Sequence, residues 1–269
     1  MQRILVWLLV LLCTGGQAAA GQVLFQMRDP RGDDRGAGDV EYPSHEVFVP
    51  GLFDLLSLEV SADEQYVYFD LEFAALTNPF RAPEGYFHQR LEVYITTGSR
   101  PGPDTIFLGS HQLSTGSSAG WDLRLSAAPF GETRLYIRCG PEGSFAVFSQ
   151  GVSSRALPGE NIIRLQVDRT LLPSPSPKWG YYVLVGSFDG LAPDFWRETG
   201  LGPWQVGGTG VPVFDLLAPR LARHSQKAQL SKGVLVPVYA GKSTYGFFLG
   251  GAGIAAAACF LLWRWRRGT

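Results

Sequence analysis

Carboxylates crowd one short segment near the start of this 269-residue chain. Four Asp and one Glu lie in the run from Asp29 to Pro43, among glycines and turn residues that favour neither a helix nor a regular strand. A hard cation such as Ca²⁺ takes about six to eight oxygen ligands, often from flexible loops of this kind. The sequence therefore predicts a Ca²⁺ site, although a solvated turn that caps backbone amides is an alternative. The predicted ligands are Asp29, Asp33, Asp34, Asp39 and, from the next strand, Asp54.

Two tryptophans are candidates for binding a sugar. Trp179 and Trp196 lie beside Pro, Gly and charged residues, outside the alternating apolar runs. Loops at the end of a β-sandwich often carry binding residues, and a flat aromatic ring there can stack on a sugar ring. The sequence predicts that Trp179 and Trp196 bind carbohydrate, whereas burial in the core is the alternative for both. Trp204 is interpreted as structural.

The usual catalytic patterns are missing from the sequence. No two of the four His residues have metal-ligand spacing, and no nucleophile elbow, P-loop or H-E-x-x-H motif is present. A glycosidase needs two opposed carboxylates, and no motif singles out such a pair. We therefore expect a protein that is not an enzyme. A haem site, the least favoured alternative, would have Met27 as its one methionine ligand outside the N-terminal segment.

The N-terminal segment has the pattern of a secretory signal peptide. Arg3 is followed by the short apolar core Ile4–Leu12 and by the small residues Ala18, Ala19 and Ala20. That apolar core is well below the roughly 20 residues that a membrane span needs. We expect cleavage after residue 20 and export of the chain from Gly21 onward.

The C-terminal segment has the pattern of a membrane span. Residues 245–263 are uncharged and would rise about 28 Å as a helix. Tyr245 and Trp263 lie at the expected interfaces, and three arginines in the tail 264–269 indicate the cytoplasmic side. The sequence predicts a single-pass membrane protein with an extracytoplasmic domain at 21–222 and a stalk at 223–244. A processed cell-wall sorting signal is the alternative.

The charge and cysteine content narrow the possible partners. All 24 Asp and Glu residues lie between Gly21 and Lys242, whereas four of the 23 Lys and Arg residues lie outside that segment. The resulting net negative charge argues against a nucleic-acid partner, which needs a basic face. Cys139 is the one cysteine between the two terminal segments, so no disulfide is expected within the domain.

The pattern of the domain is that of an all-β protein. In Tyr66–Phe73, Val67, Phe69, Leu71 and Phe73 face one way and polar or tyrosine side chains the other, which is the period of a half-buried strand. Short runs of this kind, separated by turn residues, predict an antiparallel β-sandwich. Residues 214–221 are expected to form a helical turn. The predicted strands are 23–27, 55–60, 66–73, 91–96, 121–125, 133–138, 145–149, 162–167 and 181–188.

An ordered set of short motifs resembles a known family. The motifs are Asp29-Pro30-x-Gly32-Asp33-Asp34-x-Gly36-x-Gly38, Tyr42-Pro43, Phe48-x-Pro50-Gly51-x-Phe53-Asp54-Leu55, Leu76-x-Asn78-Pro79, Val185-Gly186-Ser187-x-Asp189-Gly190, Trp204-x-x-Gly207-Gly208 and Phe214–Pro219. Together they resemble the C-terminal module of glucodextranase, which also occurs in amylopullulanases. That module is similar to the DOMON and family-9 carbohydrate-binding β-sandwiches, including their jelly-roll architecture.

The resemblance implies a non-catalytic β-sandwich associated with polysaccharide-degrading enzymes and with attachment at the cell surface. Here no glycosidase domain accompanies the module. The leading hypothesis is therefore a membrane-tethered module that binds a polysaccharide or a cell-envelope glycan. The alternative is an envelope structural or protein-interaction module without a sugar site. The sequence does not settle the oligomeric state.

Overall fold

The protein is described from a computed structural model that covers residues 21–98, 104–116, 120–139 and 144–241. The predicted signal peptide (1–20) and membrane span (245–263) lie outside these residues. Within them, no helix is both long enough and apolar enough to cross a bilayer. The described chain is built almost entirely of strands and connecting loops.

The strands are numbered in chain order. They are β1 (Gln22–Arg28), β2 (Val40–Glu41), β3 (Leu55–Ala62), β4 (Tyr66–Phe73), β5 (Gln89–Thr96), β6 (Thr105–Leu108), β7 (His111–Thr115), β8 (Leu123–Ala127), β9 (Arg134–Cys139), β10 (Ser144–Phe148), β11 (Val152–Ala156), β12 (Ile162–Asp168), β13 (Gly180–Ser187), β14 (Gly207–Gly208), β15 (Asp215–Leu216), β16 (Val234–Leu235) and β17 (Val238–Tyr239). Short 3₁₀ turns span Arg169–Leu171 and Pro193–Phe195, and one α-helix, α1, spans Gln226–Leu230. All nine predicted strands are present, with ends within about two residues of the prediction.

Two antiparallel sheets make up the body of the described chain. The first has the strand order β1-β3-β4-β12-β11. The second, larger sheet has the order β10-β9-β8-β5-β13-β15, and β17 also pairs with β13. Strands β15 and β17 share one edge of β13, since Leu184 pairs with Leu216 and Tyr181 pairs with Val238. The sandwich predicted from the sequence is confirmed at this level.

The main core lies between the two sheets. Val67, Phe69 and Leu71 of β4 are fully buried, as the alternation in the sequence predicts. They belong to the same apolar cluster as Val93 of β5 and Val183 of β13 on the opposite sheet. Each fully buried side chain of this size stabilises the fold by about 1.5–3 kcal/mol relative to exposure.

A second core covers the outer face of the larger sheet. Every residue of β5 and β13 is buried, so these two strands are enclosed on both faces. The outer face packs against the small sheet of order β16-β7-β6, in which β16 and β7 run parallel. These strands were not among those predicted, because β6 and β7 are short and are interrupted by turn residues. Members of this second cluster include Tyr94, Ile106, Leu108, Trp121, Tyr182, Trp196 and Leu235.

The segment expected to be a stalk is instead part of the domain up to β17. Leu235 of β16 is fully buried, and Gln226 and Gln229 of α1 are nearly so. The helical turn expected at residues 214–221 is also wrong, because Asp215 and Leu216 form β15 against β13. Tertiary pairing overrides the local helix preference there. The helix begins later, where the Ser225 hydroxyl accepts a hydrogen bond from the Ala228 amide at 3.4 Å.

Candidate functional site

Asp29, Asp33 and Asp215 form an acidic pocket where the end of β1, the loop after it and β15 meet. Asp29 directly follows β1, and Asp215 is the first residue of β15. Gly36 holds the loop close to the chain before β15. It has a φ of +60°, and a Cβ there would lie 2.7 Å from the carbonyl oxygen of Val213. The close approach that creates the pocket therefore requires glycine at this position.

The three carboxylates of the acidic pocket are close together and shielded from solvent. One carboxylate oxygen from each lies within 4.8 Å of the others. Asp215 is fully buried and Asp29 is 8% exposed. The Ala218 amide donates to Asp29 Oδ1 at 2.8 Å, and the Leu55 amide donates to Asp215 Oδ2 at 2.7 Å. In contrast, Asp29 Oδ2 and Asp33 Oδ1 are buried and accept no hydrogen bond from an N–H or O–H donor of the described residues. Asp29 and Asp215 can hydrogen-bond to each other when one of the two carboxyls carries a proton.

Burial makes the charged forms of these side chains unfavourable. It raises the pKa of Asp215 well above its usual value, and the neighbouring charge of Asp29 raises it further. The pKa of Asp29 is raised for the same reason, with Asp33 adding repulsion. Burial also raises the pKa of Asp33, to about 6. As anions the three side chains repel one another, and a bound cation or proton would relieve that repulsion.

The other predicted Ca²⁺ ligands occupy different positions around the pocket. Asp54 lies beside it and accepts a hydrogen bond from the Gly32 amide at 2.9 Å through Oδ1. The Tyr42 hydroxyl donates to Asp34 Oδ2. Asp39 is exposed and lies apart from the pocket, against Gly210 on the β14 side of the loop. Of the five predicted ligands, the structure brings Asp29 and Asp33 together and adds Asp215, which was not predicted from the sequence.

Gln226 of α1 fastens the acidic loop to β15. Its side-chain amide donates to the carbonyl oxygens of Asp33 and Gly36, and its Oε1 accepts from the Leu216 amide. A cleft of about 250 Å³ opens beside this contact and is lined by Asp33 and by residues of the loop and of α1. Asp33 therefore lies between the buried carboxylates and solvent.

The structure buries both tryptophans that were predicted to stack on sugar. Trp196 is fully buried and Trp179 is 3% exposed, so neither ring offers a face to a ligand. The indole nitrogen of Trp196 donates to the Pro212 carbonyl oxygen at 3.0 Å, and its ring packs against Gly186. Trp196 is buried in the second core, over the outer face of the larger sheet, whereas Trp179 is buried in the main core. Turn residues around a Trp do not reveal such burial.

A connected row of aromatic side chains lies at one end of the larger sheet, where β5 begins and β8 and β13 end. Neighbouring rings in the row have centroids between 4.5 and 6.2 Å apart. Phe80 and Phe130 are each 48% exposed, more than any other phenylalanine in the described part of the chain. Here we call the row the aromatic surface. It comprises Phe80, Phe87, Phe130, Phe188, Phe195 and Trp204.

Strained turns present the aromatic surface. Arg81, Phe130, Asp194 and Phe195 are the four non-glycine residues of the described chain with positive φ, between 52° and 62°. Phe130 and Phe195 belong to the aromatic surface. Arg81 directly follows Phe80, and Asp194 directly precedes Phe195. A non-glycine residue in this conformation costs about 1 kcal/mol or more, and such strain is concentrated at functional sites.

Polar side chains hold these turns in place. The Glu84 carboxylate accepts hydrogen bonds from the Phe130 amide at 2.9 Å and from the Gly131 amide at 2.6 Å. The Asn78 side chain bridges the turn after Phe80, accepting from the Ala82 amide at 2.7 Å and donating to the Ala82 carbonyl oxygen. The backbone turns that carry the two exposed rings are therefore held by side-chain hydrogen bonds.

A buried ion network supports the third turn, which carries Phe195. Glu92 is fully buried and lies 2.8 Å from Arg90 and 2.6 Å from Arg124. Arg124 also pairs with Asp194 at 2.5 Å, and Arg90 Nε donates to the Asp194 carbonyl oxygen at 2.9 Å. The two arginines thus connect the interior of the larger sheet to the backbone of the Asp194 turn.

Comparison with known proteins identifies the family. Residues 24–237 match the sequence profile of the C-terminal binding module, SLH-like, of glucodextranase. The chain belongs to this family. No curated protein matches the chain in a sequence search. The family is one of binding modules rather than of catalytic domains.

The motifs that carried the resemblance lie at the acidic pocket and at the aromatic surface. Asp29, Asp33 and Asp215 come from the first and the last motif along the sequence. Asn78 and Trp204, which belong to motifs in between, lie at the aromatic surface. Asp189 of the Val185–Gly190 motif pairs internally with Arg197 at 3.1 Å. In this glucodextranase-type module, the shared motifs thus shape an acidic pocket and one end of the sandwich.

Several residues of these sites were missed by sequence reasoning. The signal for Asp215 was available, because one aspartate inside the apolar run Val213–Ala218 is unusual for a strand edge. Phe80 and Phe130 each follow a proline, which places them at turns, but nothing in the sequence shows that the two turns meet. Met27, the methionine considered for haem, packs in the main core.

Proposed function

We propose that this protein is an exported, membrane-tethered and non-catalytic module that binds a polysaccharide or a cell-envelope glycan through the aromatic surface. Membership of a binding-module family supports the binding role. The observation that carries the choice of surface is the row of linked aromatic rings, two of them half exposed, at the loop end of the larger sheet.

The chemistry of the aromatic surface suits a sugar. The C–H faces of a pyranose ring are apolar, and a flat aromatic ring covers such a face while leaving the hydroxyl groups at its edge free. Phe80 and Phe130 are joined through Phe87, with centroid distances of 4.5 and 6.1 Å. Rings in a row can contact successive units of a chain, which favours a polymer over a single small sugar.

Preorganisation supports the same choice. The turns of Phe80 and Phe130 are held by Asn78 and Glu84, so little conformational entropy is lost when a ligand binds. The exposed Arg81 side chain, next to Phe80, could donate hydrogen bonds to sugar hydroxyls. Loops fixed on a rigid sheet are the usual position of binding residues in sandwiches.

Export and tethering rest on the terminal segments. Residues 1–20 have the pattern of a signal peptide, and residues 245–263 that of a span followed by arginines. Together they support a module outside the cytoplasm that is tethered to the cell membrane, with residues 264–269 inside. N-terminal sequencing of membrane-extracted protein tests this topology, and a sequence that begins at Met1 contradicts it.

A second function, binding an envelope protein, is favoured by two exposed leucines in loops next to the aromatic surface. Leu191 and Leu201 are almost fully exposed, and neither side chain has the flat face that sugar stacking uses. Leu191 lies between Phe188 and Phe195 in the chain and Leu201 three residues before Trp204, so both extend the apolar character of the segments that carry the aromatic surface. Exposed apolar area of this kind often marks a protein contact. Replacing both leucines separates the two functions, because glycan binding should survive that change whereas a protein contact should not.

Glycan binding is tested with the full chain in mild detergent on an array of α-glucans, β-glucans and envelope glycans. We expect wild-type binding to at least one polysaccharide and a loss of about 5- to 150-fold when Phe80 or Phe130 is changed to Ala, the range for removing one anchoring aromatic side chain. Phe145→Ala is the matched control. Phe145 is 37% exposed and lies on β10, where it pairs with Arg138 near the opposite end of β9.

Two results would contradict the proposal. If wild type binds a glycan and the Phe80 and Phe130 variants bind it equally well, the aromatic surface is not the site. If folded wild type binds no glycan on the array, the protein-contact function replaces the carbohydrate one.

A further inference from the structure

The acidic pocket contains carboxylate oxygens that the described protein does not satisfy. Asp29 is more than nine-tenths buried, and with both carboxyls ionised its Oδ2 accepts no hydrogen bond from the described residues; the one side-chain partner within reach is Asp215, which is itself an acceptor unless protonated. Asp33 Oδ1 is also buried and without a hydrogen-bond partner among the described residues, although the Asp33 residue as a whole is only partly buried. A buried polar atom without a partner costs about 1–3 kcal/mol, and more if it is charged. Such atoms in a native fold need an explanation, and an ion is one of the few available.

The charges around the pocket point to a cation. None of the ion pairs formed within the described residues involves Asp29, Asp33 or Asp215. The carboxylate of Asp54 adds a fourth negative charge, which repels the carboxylates of Asp29, Asp33 and Asp215. The positive side chain that acts on Asp33 is Arg220, which is exposed and screened by solvent.

We propose that Asp29, Asp33 and Asp215 bind one Ca²⁺ ion. The ion would join three parts of the chain: the end of β1, the loop after it and the short strand β15. Strand β15 pairs with β13 over only two residues, Asp215 and Leu216, so it has few backbone hydrogen bonds of its own. An ion held by Asp215 therefore fastens an edge of the larger sheet to the first sheet.

The ligand chemistry selects the metal. The group offers oxygen ligands only, with no His or Cys among its members, which disfavours Zn²⁺ and Cu²⁺. The carboxylates come from a glycine-rich loop and two separate strand ends, so the geometry is irregular. Ca²⁺ accepts irregular arrangements of about six to eight oxygens, whereas Mg²⁺ needs a nearly ideal octahedron.

Asp33 is the least buried of the three proposed ligands. The cleft of about 250 Å³ beside α1 is lined by Asp33 and also by the basic residues Arg35 and Lys227, and Asp29 and Asp215 are more buried than Asp33. Asp33 is therefore the ligand whose substitution disturbs the fold least, because the side chains of Asp29 and Asp215 also accept hydrogen bonds from backbone amides.

The test is calorimetric titration of Ca²⁺ into the full chain after removal of metal with EDTA, together with thermal unfolding in EDTA, in Ca²⁺ and in Mg²⁺. We expect one Ca²⁺ per chain, a melting temperature that rises with Ca²⁺ by mass action, and a weaker response to Mg²⁺. Asp33→Asn should lower Ca²⁺ affinity at least tenfold, and Asp215→Asn should abolish binding.

The direction of the stability change distinguishes an ion site from a merely structural role. In EDTA, Asp33→Asn should melt at or above the temperature of wild type, because it removes repulsion; in Ca²⁺ it should melt below wild type. Asp39→Asn is the control, since Asp39 belongs to the same loop but lies apart from the pocket.

Three results would overturn the proposal. The first is a wild-type protein that binds no Ca²⁺ and melts identically in EDTA and Ca²⁺, which would mean that Asp29 and Asp215 share a proton instead. The second is Ca²⁺ binding that survives both Asp33→Asn and Asp215→Asn. The third is Ca²⁺ binding that is lost in Asp39→Asn, because the ion would then lie elsewhere in the loop.

Discussion

Replacing Glu92 with Gln should destabilise the protein strongly, although the two side chains have nearly the same shape. Glu92 is fully buried and accepts hydrogen bonds from Arg124 Nε at 2.8 Å and from the second Arg124 nitrogen at 2.6 Å. Arg90 lies 2.8 Å from the same carboxylate and is 1% exposed. With Asp194, the network contains two positive and two negative charges, so its net charge is zero.

The size of the stability loss depends on this balance of buried charges. In Glu92→Gln, two buried guanidinium groups would share one remaining carboxylate, that of Asp194, and the new amide group would direct N–H donors toward other donors. Burial works to lower the pKa of Arg124, and the Glu92 charge more than offsets that effect, so the pKa of Arg124 is raised. Breaking one partner out of a buried ion pair typically costs about 3–5 kcal/mol. For a chain of this size that is a fall in melting temperature of roughly 6–20 °C.

The matched control is Asp70→Asn. Asp70 pairs with Arg164 at 2.6 Å, but the two side chains are 15% and 26% exposed, and the pair lies on neighbouring strands of the first sheet. A partly exposed pair is screened by solvent and contributes about 1 kcal/mol, so this variant should lose less than Glu92→Gln even though the Asp70–Arg164 pair is bidentate. Both variants are compared with wild type by guanidinium unfolding followed by tryptophan fluorescence. A Glu92→Gln loss no larger than the Asp70→Asn loss refutes the argument that charge balance in the interior holds this network.

Two further predictions concern buried side chains. Trp196→Ala should cost about 3–5 kcal/mol, because it leaves a cavity and an unpaired Pro212 carbonyl oxygen, and thermal unfolding measures the loss; a variant as stable as wild type contradicts its burial. His88 is fully buried, and burial, with the charge of Arg197, lowers its pKa to about 4, below the usual 6.5. The unfolded chain therefore binds more protons between these values, and stability due to neutral His88 is present above pH 6.5 and is lost as the pH falls toward 4. Wild type should lose about 2 kcal/mol more than His88→Leu between pH 7 and pH 5, measured by guanidinium unfolding, and equal losses would contradict the depressed pKa.

The strands were predictable because their burial follows a local pattern. In β4 and β12, alternate side chains point into the main core, and the period of two is visible in the sequence. The short strands were not predictable in the same way. β15, β16 and β17 have two residues each, which is too short for any period, and they are strands only because β13 or β7 lies beside them.

The same distinction between local and distant residues applies to the candidate sites. Asp29 and Asp33 were found because both lie in one local run of acidic residues. Asp215 is 186 positions beyond Asp29 and joins them only through the pairing of β15 with β13. For Trp179 and Trp196 the local context was misleading. Turn residues beside a ring predict that the backbone is a loop, but exposure of the ring depends on what packs over that loop.

The two proposed sites are connected by packed aromatic rings, and this affects how their tests are interpreted. Phe214, next to Asp215, stacks on Phe53 with centroids 4.2 Å apart. Phe53 contacts Phe48, and Phe48 contacts Trp204 of the aromatic surface at 5.7 Å.

Removing Ca²⁺ could therefore loosen the aromatic surface without any ion touching a glycan, so a loss of glycan binding in EDTA does not by itself place Ca²⁺ in the sugar site. The variants resolve this: Phe80→Ala removes a sugar contact and leaves the acidic pocket intact, whereas Asp33→Asn removes an ion ligand and leaves every exposed ring in place. If Asp33→Asn protein without Ca²⁺ binds glycan as tightly as Ca²⁺-loaded wild type, the ion is not part of the sugar site.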